Sequence, residues 1–259
     1  HDHLDYHKSY KDYLNSKLYL FKNLLIKNSN IITDLNIPEY KKIKRIVQKK
    51  KLKLNTISNR GADLDIISHK YEGEKQSLKI NYKKKSYTIQ LNLIGKIQLK
   101  NILMSMIAAN LSNIDFKKIV NVIKKIKPVS GRLEKIGSIK NNSLVILDYA
   151  HTPDALKICL QNIKDQFKNR KISLVFGCGG ERDIIKRPLM GEIANRYCEK
   201  IYLTDDNPRK ENPKKIRKEI IKHLKKVNYF DISNRSKAIK ESILNAETNE
   251  TILISGKGH

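Results

Sequence analysis

The sequence predicts an α/β protein whose second half folds as a doubly wound, mostly parallel, Rossmann-like sheet. Three observations support this fold class. From about residue 144, short apolar runs of strand length alternate with amphipathic segments of helical length. Three of those helical segments begin with a proline, Pro153, Pro188 and Pro213, which is typical of a first helical turn. Charged or glycine-rich turns follow the apolar runs, as in open parallel sheets that bind ligands.

The first half of the chain has a different pattern. Residues 10–25 carry apolar side chains at helical spacing, and Ser9 is placed to cap that helix. Residues 31–91 alternate short apolar and polar stretches, which favours strands. Residues 101–111 and 116–126 predict two further helices, before Pro128 and Gly131 interrupt the pattern.

The second half predicts alternating strands and helices. Apolar runs predict strands at 144–147, 172–176, 201–204 and 251–255, and amphipathic segments predict helices at 153–167, 188–198, 213–226 and 236–245. The change of pattern places a domain boundary after residue 136, so that the predicted domains are 1–136 and 137–259.

The composition narrows the possible classes of protein. The net charge is +27, mostly from lysines that are spread along the chain. This spread favours a solvated basic surface, although a nucleic-acid-binding module remains an alternative. The densest runs, Lys49–Lys51 and Lys83–Lys85, are interpreted as helix ends or exposed edge strands. No apolar stretch approaches the roughly 20 residues that cross a bilayer.

The cysteines indicate the compartment. Cys159, Cys178 and Cys198 contain no CxxC pair, and an odd, sparse set is typical of a reducing environment. We therefore expect a cytoplasmic protein without disulfides. We also expect a monomer without membrane partners.

Polar clusters follow four of the predicted strands. They are Asp148-Tyr149-Ala150-His151-Thr152, Gly177-Cys178-Gly179-Gly180-Glu181-Arg182-Asp183, Asp205-Asp206-Asn207-Pro208-Arg209 and Gly256-Lys257-Gly258-His259. Because the carboxyl ends of parallel strands lie at one edge of a sheet, these four turns predict one shared site.

These turns and other segments, taken in order, resemble the Mur ligase family, in particular its members that add meso-diaminopimelate. The matching segments also include His1-Asp2-His3-Leu4-Asp5-Tyr6-His7, Gly131-Arg132-Leu133-Glu134 and Lys186-Arg187-Pro188-Leu189-Met190-Gly191. The resemblance implies the rear of a P-loop-type ATPase domain followed by most of an amino-acid-binding domain. It also implies that the UDP-binding domain and the phosphate-binding loop of the family lie outside this sequence, so that the chain by itself would be inactive.

The resemblance implies an ATP-driven amide ligation. The D-Glu carboxylate of UDP-N-acetylmuramoyl-L-alanyl-D-glutamate would become an acyl phosphate, which the amine of meso-diaminopimelate then attacks. Phosphoryl transfer of this kind depends on cations that neutralise charge. His3 matches a Mg²⁺ ligand, and Lys17 matches the lysine that carries CO₂ as a carbamate, N6-carboxylysine. A carbamate would turn a cation into an anionic oxygen ligand for Mg²⁺.

The remaining site residues are implied in the same way. Asn101, Arg132 and Asp148 match ATP-binding positions, and Asp148 and His151 are catalytic candidates. Asp148 could equally cap the helix that begins at Pro153. The amino-acid pocket is matched by Arg182, Asp206, Asn207, Pro208, Arg209 and Gly256. Within it, the planar guanidinium of Arg209 is suited to grip the distal carboxylate that distinguishes diaminopimelate from lysine. An L-lysine-adding or folylpolyglutamate-type ligase stays open as an alternative.

Overall fold

The computed structural model describes residues 7, 9–139, 141–181, 183–225 and 227–256, and it divides into two compact units. The N-terminal unit ends at Lys127 and the C-terminal unit begins at Pro128. Among the described residues, no helix is both long enough and apolar enough to cross a membrane.

The N-terminal unit is a five-stranded mixed sheet with helices. Its elements are α1 (Tyr10–Tyr19), which continues as a π-helical turn (Leu20–Leu24), β1 (Asn30–Asp34), α2 (Tyr40–Lys50), β2 (Lys53–Ser58), β3 (Leu64–Glu72), β4 (Lys75–Tyr82), β5 (Lys85–Leu91), α3 (Ile97–Leu111) and α4 (Phe116–Ile123). The strands lie in sequence order, with β1 to β3 parallel and β3 to β5 antiparallel.

Apolar packing explains the helices of this unit. Leu103 and Ile107, one turn apart on α3, are fully buried in the same cluster as Ile80 of β4.

The predicted cap of α1 is confirmed, because the Ser9 side chain accepts a hydrogen bond from the Asp12 N–H. Helix α2 was not predicted. Most of its residues are lysines or other polar residues, and it lies in a region where apolar and polar residues otherwise alternate as they do in strands.

The lysine runs lie where they were expected. Lys49 and Lys50 end α2, and Lys51 closes it in a left-handed conformation. Lys83 and Lys84 form the tight turn before β5, an edge strand of the sheet. Both runs are therefore at a helix end or an edge strand, which confirms that interpretation.

The C-terminal unit is a six-stranded sheet. Its elements are β6 (Glu134–Ser138), β7 (Leu144–Asp148), α5 (Pro153–Gln166), β8 (Lys171–Phe176), α6 (Lys186–Tyr197), β9 (Lys200–Leu203), α7 (Pro213–Ile221), β10 (Asn228–Asp231), α8 (Arg235–Leu244) and β11 (Glu250–Ser255). The strand order is β10-β9-β8-β11-β7-β6, and all neighbours are parallel except β6, which runs antiparallel to β7. The predicted parallel sheet is confirmed.

Two strands of this sheet were not predicted. Every residue of β10 is exposed, and β6 is half-exposed, so neither presents the buried apolar run that identifies an inner strand. Because β6 pairs with β7, the C-terminal unit begins at Pro128, before the boundary predicted after residue 136. All three cysteines are buried free thiols in this unit.

Candidate active site

The described parts of the four predicted turns lie at one edge of the C-terminal sheet, and the fourth turn is described there by Gly256 alone. Strands β7, β8, β9 and β11 are mutually parallel, so the turns that follow them leave from their carboxyl ends. Two contacts join the end of β11 to that of β7: the Gly256 N–H donates to the Asp148 carbonyl (3.1 Å), and the Ser255 hydroxyl donates to the Ala150 carbonyl (2.6 Å). The sequence-based expectation of a shared edge is therefore confirmed.

The glycine-rich turn packs directly on the turn after β9. The Gly180 N–H donates to the Asn207 carbonyl (2.9 Å). A Cβ atom on Gly180 would lie 2.0 Å from the Pro208 carbonyl oxygen, and one on Gly177 would lie 2.2 Å from the Thr204 carbonyl oxygen. Both distances are far inside van der Waals contact, so this approach of two backbones requires glycine.

Arg209 lies exposed at the tip of this arrangement. Its backbone is left-handed, with φ of 51°, and its Nη1 donates to the Gly180 carbonyl. One edge of the guanidinium therefore holds the glycine-rich turn. The neighbouring Asn207 is exposed and Pro208 is half-buried. Arg182 and His3 lie outside the described residues.

Asp206 connects the ends of β9 and β11. Its Oδ1 accepts from the Asn207 N–H (2.7 Å), and its Oδ2 lies 3.4 Å from the position that a Cβ would take on Gly256. Gly256 has φ of 99°, a conformation that side chains rarely adopt. Four predicted amino-acid-site residues, Asp206 to Arg209, thus lie on one turn against Gly256.

Asp148 is held by backbone N–H groups on both sides. Its Oδ2 accepts from Leu133 and its Oδ1 from Ala150, each at 2.8 Å. Burial raises the pKa of this carboxyl above its ordinary value, and the two N–H donors oppose that rise. The helix-cap interpretation of Asp148 is wrong, because Thr152 caps α5 by accepting from the Ala155 N–H.

Arg132 and His151 meet across an aromatic ring. The Arg132 guanidinium lies 4.6 Å from the centroid of the Tyr149 ring, and the His151 ring meets the same tyrosine edge-on at 4.8 Å. The His151 Nδ1 lies 3.1 Å from the Tyr149 carbonyl oxygen. Arg132 also attracts the Asp148 carboxylate. The three predicted ATP-side residues of this unit therefore form one cluster.

Lys17 and Asn101 belong to the N-terminal unit. Lys17 is exposed on α1 with its Nζ 5.3 Å from the centroid of the Tyr13 ring, and Asn101 is exposed on α3. Beside Asn101, Lys100 pairs with the buried Asp34 at the end of β1. Within the described part of the chain, no three His, Cys, Asp or Glu side chains are placed to hold a metal ion. The predicted magnesium site is therefore represented here by Lys17 alone.

Two family descriptions match nearly the whole chain. The Mur ligase middle domain matches residues 1–109, and the Mur ligase glutamate ligase domain matches residues 131–258. The chain belongs to the Mur ligase family. The order of the two matched domains agrees with the two compact units of the structure.

Individual Mur ligases show the same relationship. A UDP-N-acetylmuramoyl-L-alanyl-D-glutamate–2,6-diaminopimelate ligase from Rickettsia bellii (strain RML369-C) is 39% identical over 259 residues, which are 100% of this chain and 54% of that protein. The ligase of the same name from Rickettsia conorii (strain ATCC VR-613 / Malish 7) is 38% identical, over 100% of this chain and 53% of its own length. The chain thus spans about half the length of the curated relatives it matches.

Solved structures give the same fold. A UDP-N-acetylmuramoyl-L-alanyl-D-glutamate–2,6-diaminopimelate ligase superposes with a TM-score of 0.67 and 29% identity, covering 98% of this chain and 52% of its own. A MurF ligase from Thermotoga maritima in complex with ADP gives a TM-score of 0.73 at 17% identity, covering 99% of this chain and 56% of its own, which supports the fold alone.

The sequence did not indicate the ion pairs that lie next to the glycine-rich turn of the site. Arg187 of α6 is fully buried and donates to Glu211 (2.8 Å) and to Glu219 of α7 (2.7 Å). Glu211 also accepts from the Glu181 N–H of the glycine-rich turn. Arg187 was part of a matching segment, but nothing in the spacing of that segment indicated that its charge would be buried.

Glu211→Gln is expected to lower the melting temperature at pH 7. Chiefly the Arg187 guanidinium lowers the pKa of Glu211 from 4.5 to about 2. A carboxyl whose pKa falls on folding stabilises the protein above pH 4.5 and loses that contribution as the pH falls toward 2. The difference in Tm between wild type and variant should therefore shrink over this window.

Thermal unfolding at a series of pH values tests this expectation. The matched control is Glu192→Gln, an exposed carboxylate on α6 that contacts His223 and should change Tm little at neutral pH. A Tm difference for Glu211→Gln that stays constant from pH 7 to pH 2 would contradict the assigned ion pair.

Proposed function

We propose that the full-length protein that carries this chain joins meso-diaminopimelate to UDP-N-acetylmuramoyl-L-alanyl-D-glutamate with ATP, in the cytoplasmic synthesis of peptidoglycan precursors. The names of the relatives support this reaction. The observation that carries the proposal is the packing of the Asp206–Arg209 turn against the glycine-rich turn and Gly256. This packing collects carboxylate and guanidinium groups at the edge where open α/β sheets bind ligands.

The charges of this edge suit an amino acid with two ammonium and two carboxylate groups. Arg209 is exposed, and its Nη1 donates a hydrogen bond to the Gly180 carbonyl. The opposite edge of the guanidinium faces away from that bond and is proposed to bind the distal carboxylate. The Asp206 carboxylate, next to the open Gly256 backbone, is proposed to attract an ammonium group. Asn207, Pro208 and Arg182 would complete this pocket.

The Arg132–Tyr149–His151 cluster is proposed as the ATP side of the reaction. The cationic guanidinium is suited to a phosphate, which bears charge on several oxygens during transfer. Asp148 lies beside Arg132 and is tied to two backbone N–H groups, so it is proposed to fix the shape of this turn and to contact ATP. Asn101, on α3 of the N-terminal unit, is proposed separately as an ATP-binding residue of that unit.

Mg²⁺ is proposed to bind at Lys17 and His3. The ammonium of an unmodified Lys17 would repel a cation, so the site requires the carbamate form, whose oxygens are ligands that Mg²⁺ prefers. Lys17 is exposed, so CO₂ can reach its amine. A bound Mg²⁺ would neutralise phosphate charge, while Lys17 would hold it in place.

Arg209→Lys tests the proposed substrate in the full-length ligase. The variant keeps the charge but loses the planar fork, and a lost charge-assisted hydrogen bond costs roughly 1.5–3 kcal/mol. The KM for meso-diaminopimelate should therefore rise about ten- to hundred-fold, with little change in the KM for ATP. Arg209→Ala should raise it further and reduce the preference over L-lysine.

The decisive comparison is a pair of KM series, one for each amino acid, on wild type and both variants. L-Lysine lacks the distal carboxylate, so its weak use should change little. Equal losses for both amino acids would show that Arg209 serves only to hold the Gly180 carbonyl. Wild-type protein that ligates L-lysine as well as meso-diaminopimelate would refute the proposed substrate.

A further inference from the structure

Arg235 lies at the same edge of the C-terminal sheet, outside the set of residues predicted from the sequence. It is the first residue of α8, and the preceding Asn234 caps that helix by accepting from the Lys237 N–H (2.9 Å). The Arg235 side chain is half-buried. Its Nη2 donates to the carbonyl oxygen of Ser255, the last residue of β11 (2.8 Å).

Arg235 also interacts with the turn that follows β9. Burial lowers the pKa of Arg235 from its ordinary value, and the charge of the Asp206 carboxylate opposes that shift through space. Strand β8 lies between β9 and β11, so no ladder hydrogen bonds join those two strands. Arg235 is therefore hydrogen-bonded to one strand end, at Ser255, and its charge acts through space on Asp206 at another strand end that the sheet leaves separate.

The surroundings of Arg235 differ from those of the structural arginines in this unit. Arg187 is paired with Glu211 and Glu219, and Arg217 is paired with Asp205 and Asp231. Arg235 is in no ion pair of that kind among the described residues. Arg235 and Arg187 each have one buried nitrogen without a hydrogen-bond partner there, Nη1 and Nε respectively, so the difference is the carboxylates that Arg187 has and Arg235 lacks. A partly buried guanidinium without a paired carboxylate is unfavourable for stability, so fold stability accounts poorly for an arginine at this place.

We propose that Arg235 is a positioning residue of the amino-acid site, which fixes the Ser255 carbonyl, and with it Gly256, by a hydrogen bond and orients the Asp206 carboxylate by its charge, so that Asp206 and Gly256 receive an ammonium group of the incoming amino acid. This inference rests on the proposed function. Arg235 acts through Asp206 and the end of β11, and its effect falls on the binding of the amino acid rather than on ATP.

The test compares Arg235→Met and Arg235→Lys in the full-length ligase. Arg235→Met should raise the KM for meso-diaminopimelate about tenfold, as expected for the loss of one hydrogen bond and one charge, and leave the KM for ATP and kcat at saturating amino acid near wild type. Its Tm should shift by no more than about 2–4 °C. Arg235→Lys keeps the charge and one donor for Ser255, so it should recover most of the wild-type KM.

Arg170→Met is the matched control. Arg170 also donates to a backbone carbonyl, that of Asn142, but it lies at the opposite edge of the sheet, just before β8. Its KM values should equal those of wild type. If the wild-type ligase is active and Arg235→Met has the same KM for the amino acid, this inference is overturned and the proposed function is not. A large fall in Tm with all kinetic constants changed together would also overturn this inference, and an inactive wild type would refute the proposed function as well.

Discussion

Replacing Lys17 with alanine is expected to abolish ligation by the full-length protein. The proposed carbamate on Lys17 supplies an anionic ligand for Mg²⁺, and a catalytic metal contributes several kcal/mol to stabilising charge in the transition state. The loss should therefore reach about a thousandfold or more in kcat. Lys11→Ala, an exposed lysine on the same helix, should retain wild-type activity.

Small carboxylates in solution should partly restore the Lys17→Ala enzyme, because they can take the place of the missing carbamate oxygens. The modification can be observed directly as a carbamate carbon in ¹³C NMR under ¹³CO₂. An active wild-type enzyme in which Lys17 stays unmodified under these conditions would rule out the carbamate role.

Gly180→Ala should lower both the stability of the fold and the affinity for the amino acid. The new Cβ would lie 2.0 Å from the Pro208 carbonyl oxygen, so the Asp206–Arg209 turn would have to move away from the glycine-rich turn. Overpacking of this kind costs about 1–3 kcal/mol in the free energy of unfolding. The Asn207 and Gly180 hydrogen bonds would be displaced with it, so the KM for the amino acid should rise at least about tenfold.

Gly137→Ala is the control for Gly180→Ala. A Cβ on Gly137 in β6 would meet no atom within 4 Å, and its backbone is not left-handed. Denaturant unfolding and amino-acid KM should therefore match wild type for Gly137→Ala and depart from it for Gly180→Ala. Equal behaviour of the two variants would show that the close approach at Gly180 does not shape the site.

Much of the secondary structure followed from local pattern. The inner strands β7, β8, β9 and β11 carry mostly apolar runs because they are buried on both faces, and such runs are visible without any knowledge of the fold. The cap of α1 at Ser9 is likewise a local interaction. The edge strands β6 and β10 were not predicted. Their side chains are largely exposed to solvent, so these strands do not need the apolar residues that identify an inner strand.

Most of the candidate site also followed from the sequence, through the motifs that end each strand. The assignment of Asp148 as a possible helix cap failed because Thr152, closer to Pro153, reaches the N–H groups of the first turn. Asp148 points instead toward the chain before β6, where it binds the Leu133 N–H. Residue types and spacing cannot distinguish two neighbouring caps, since the choice depends on the direction of each side chain.

The sequence alone determined that four polar turns follow parallel strands and so share one edge, because strand direction is a consequence of the alternating strand–helix pattern. Only the tertiary structure decided which turns touch. Strand β11, last in the chain, inserts between β7 and β8, which brings Gly256 to Asp148 and Asp206. The buried charge of Arg187 and the hydrogen bond of Arg235 to the end of β11 depend on contacts between residues distant in sequence, and no local pattern encodes such contacts.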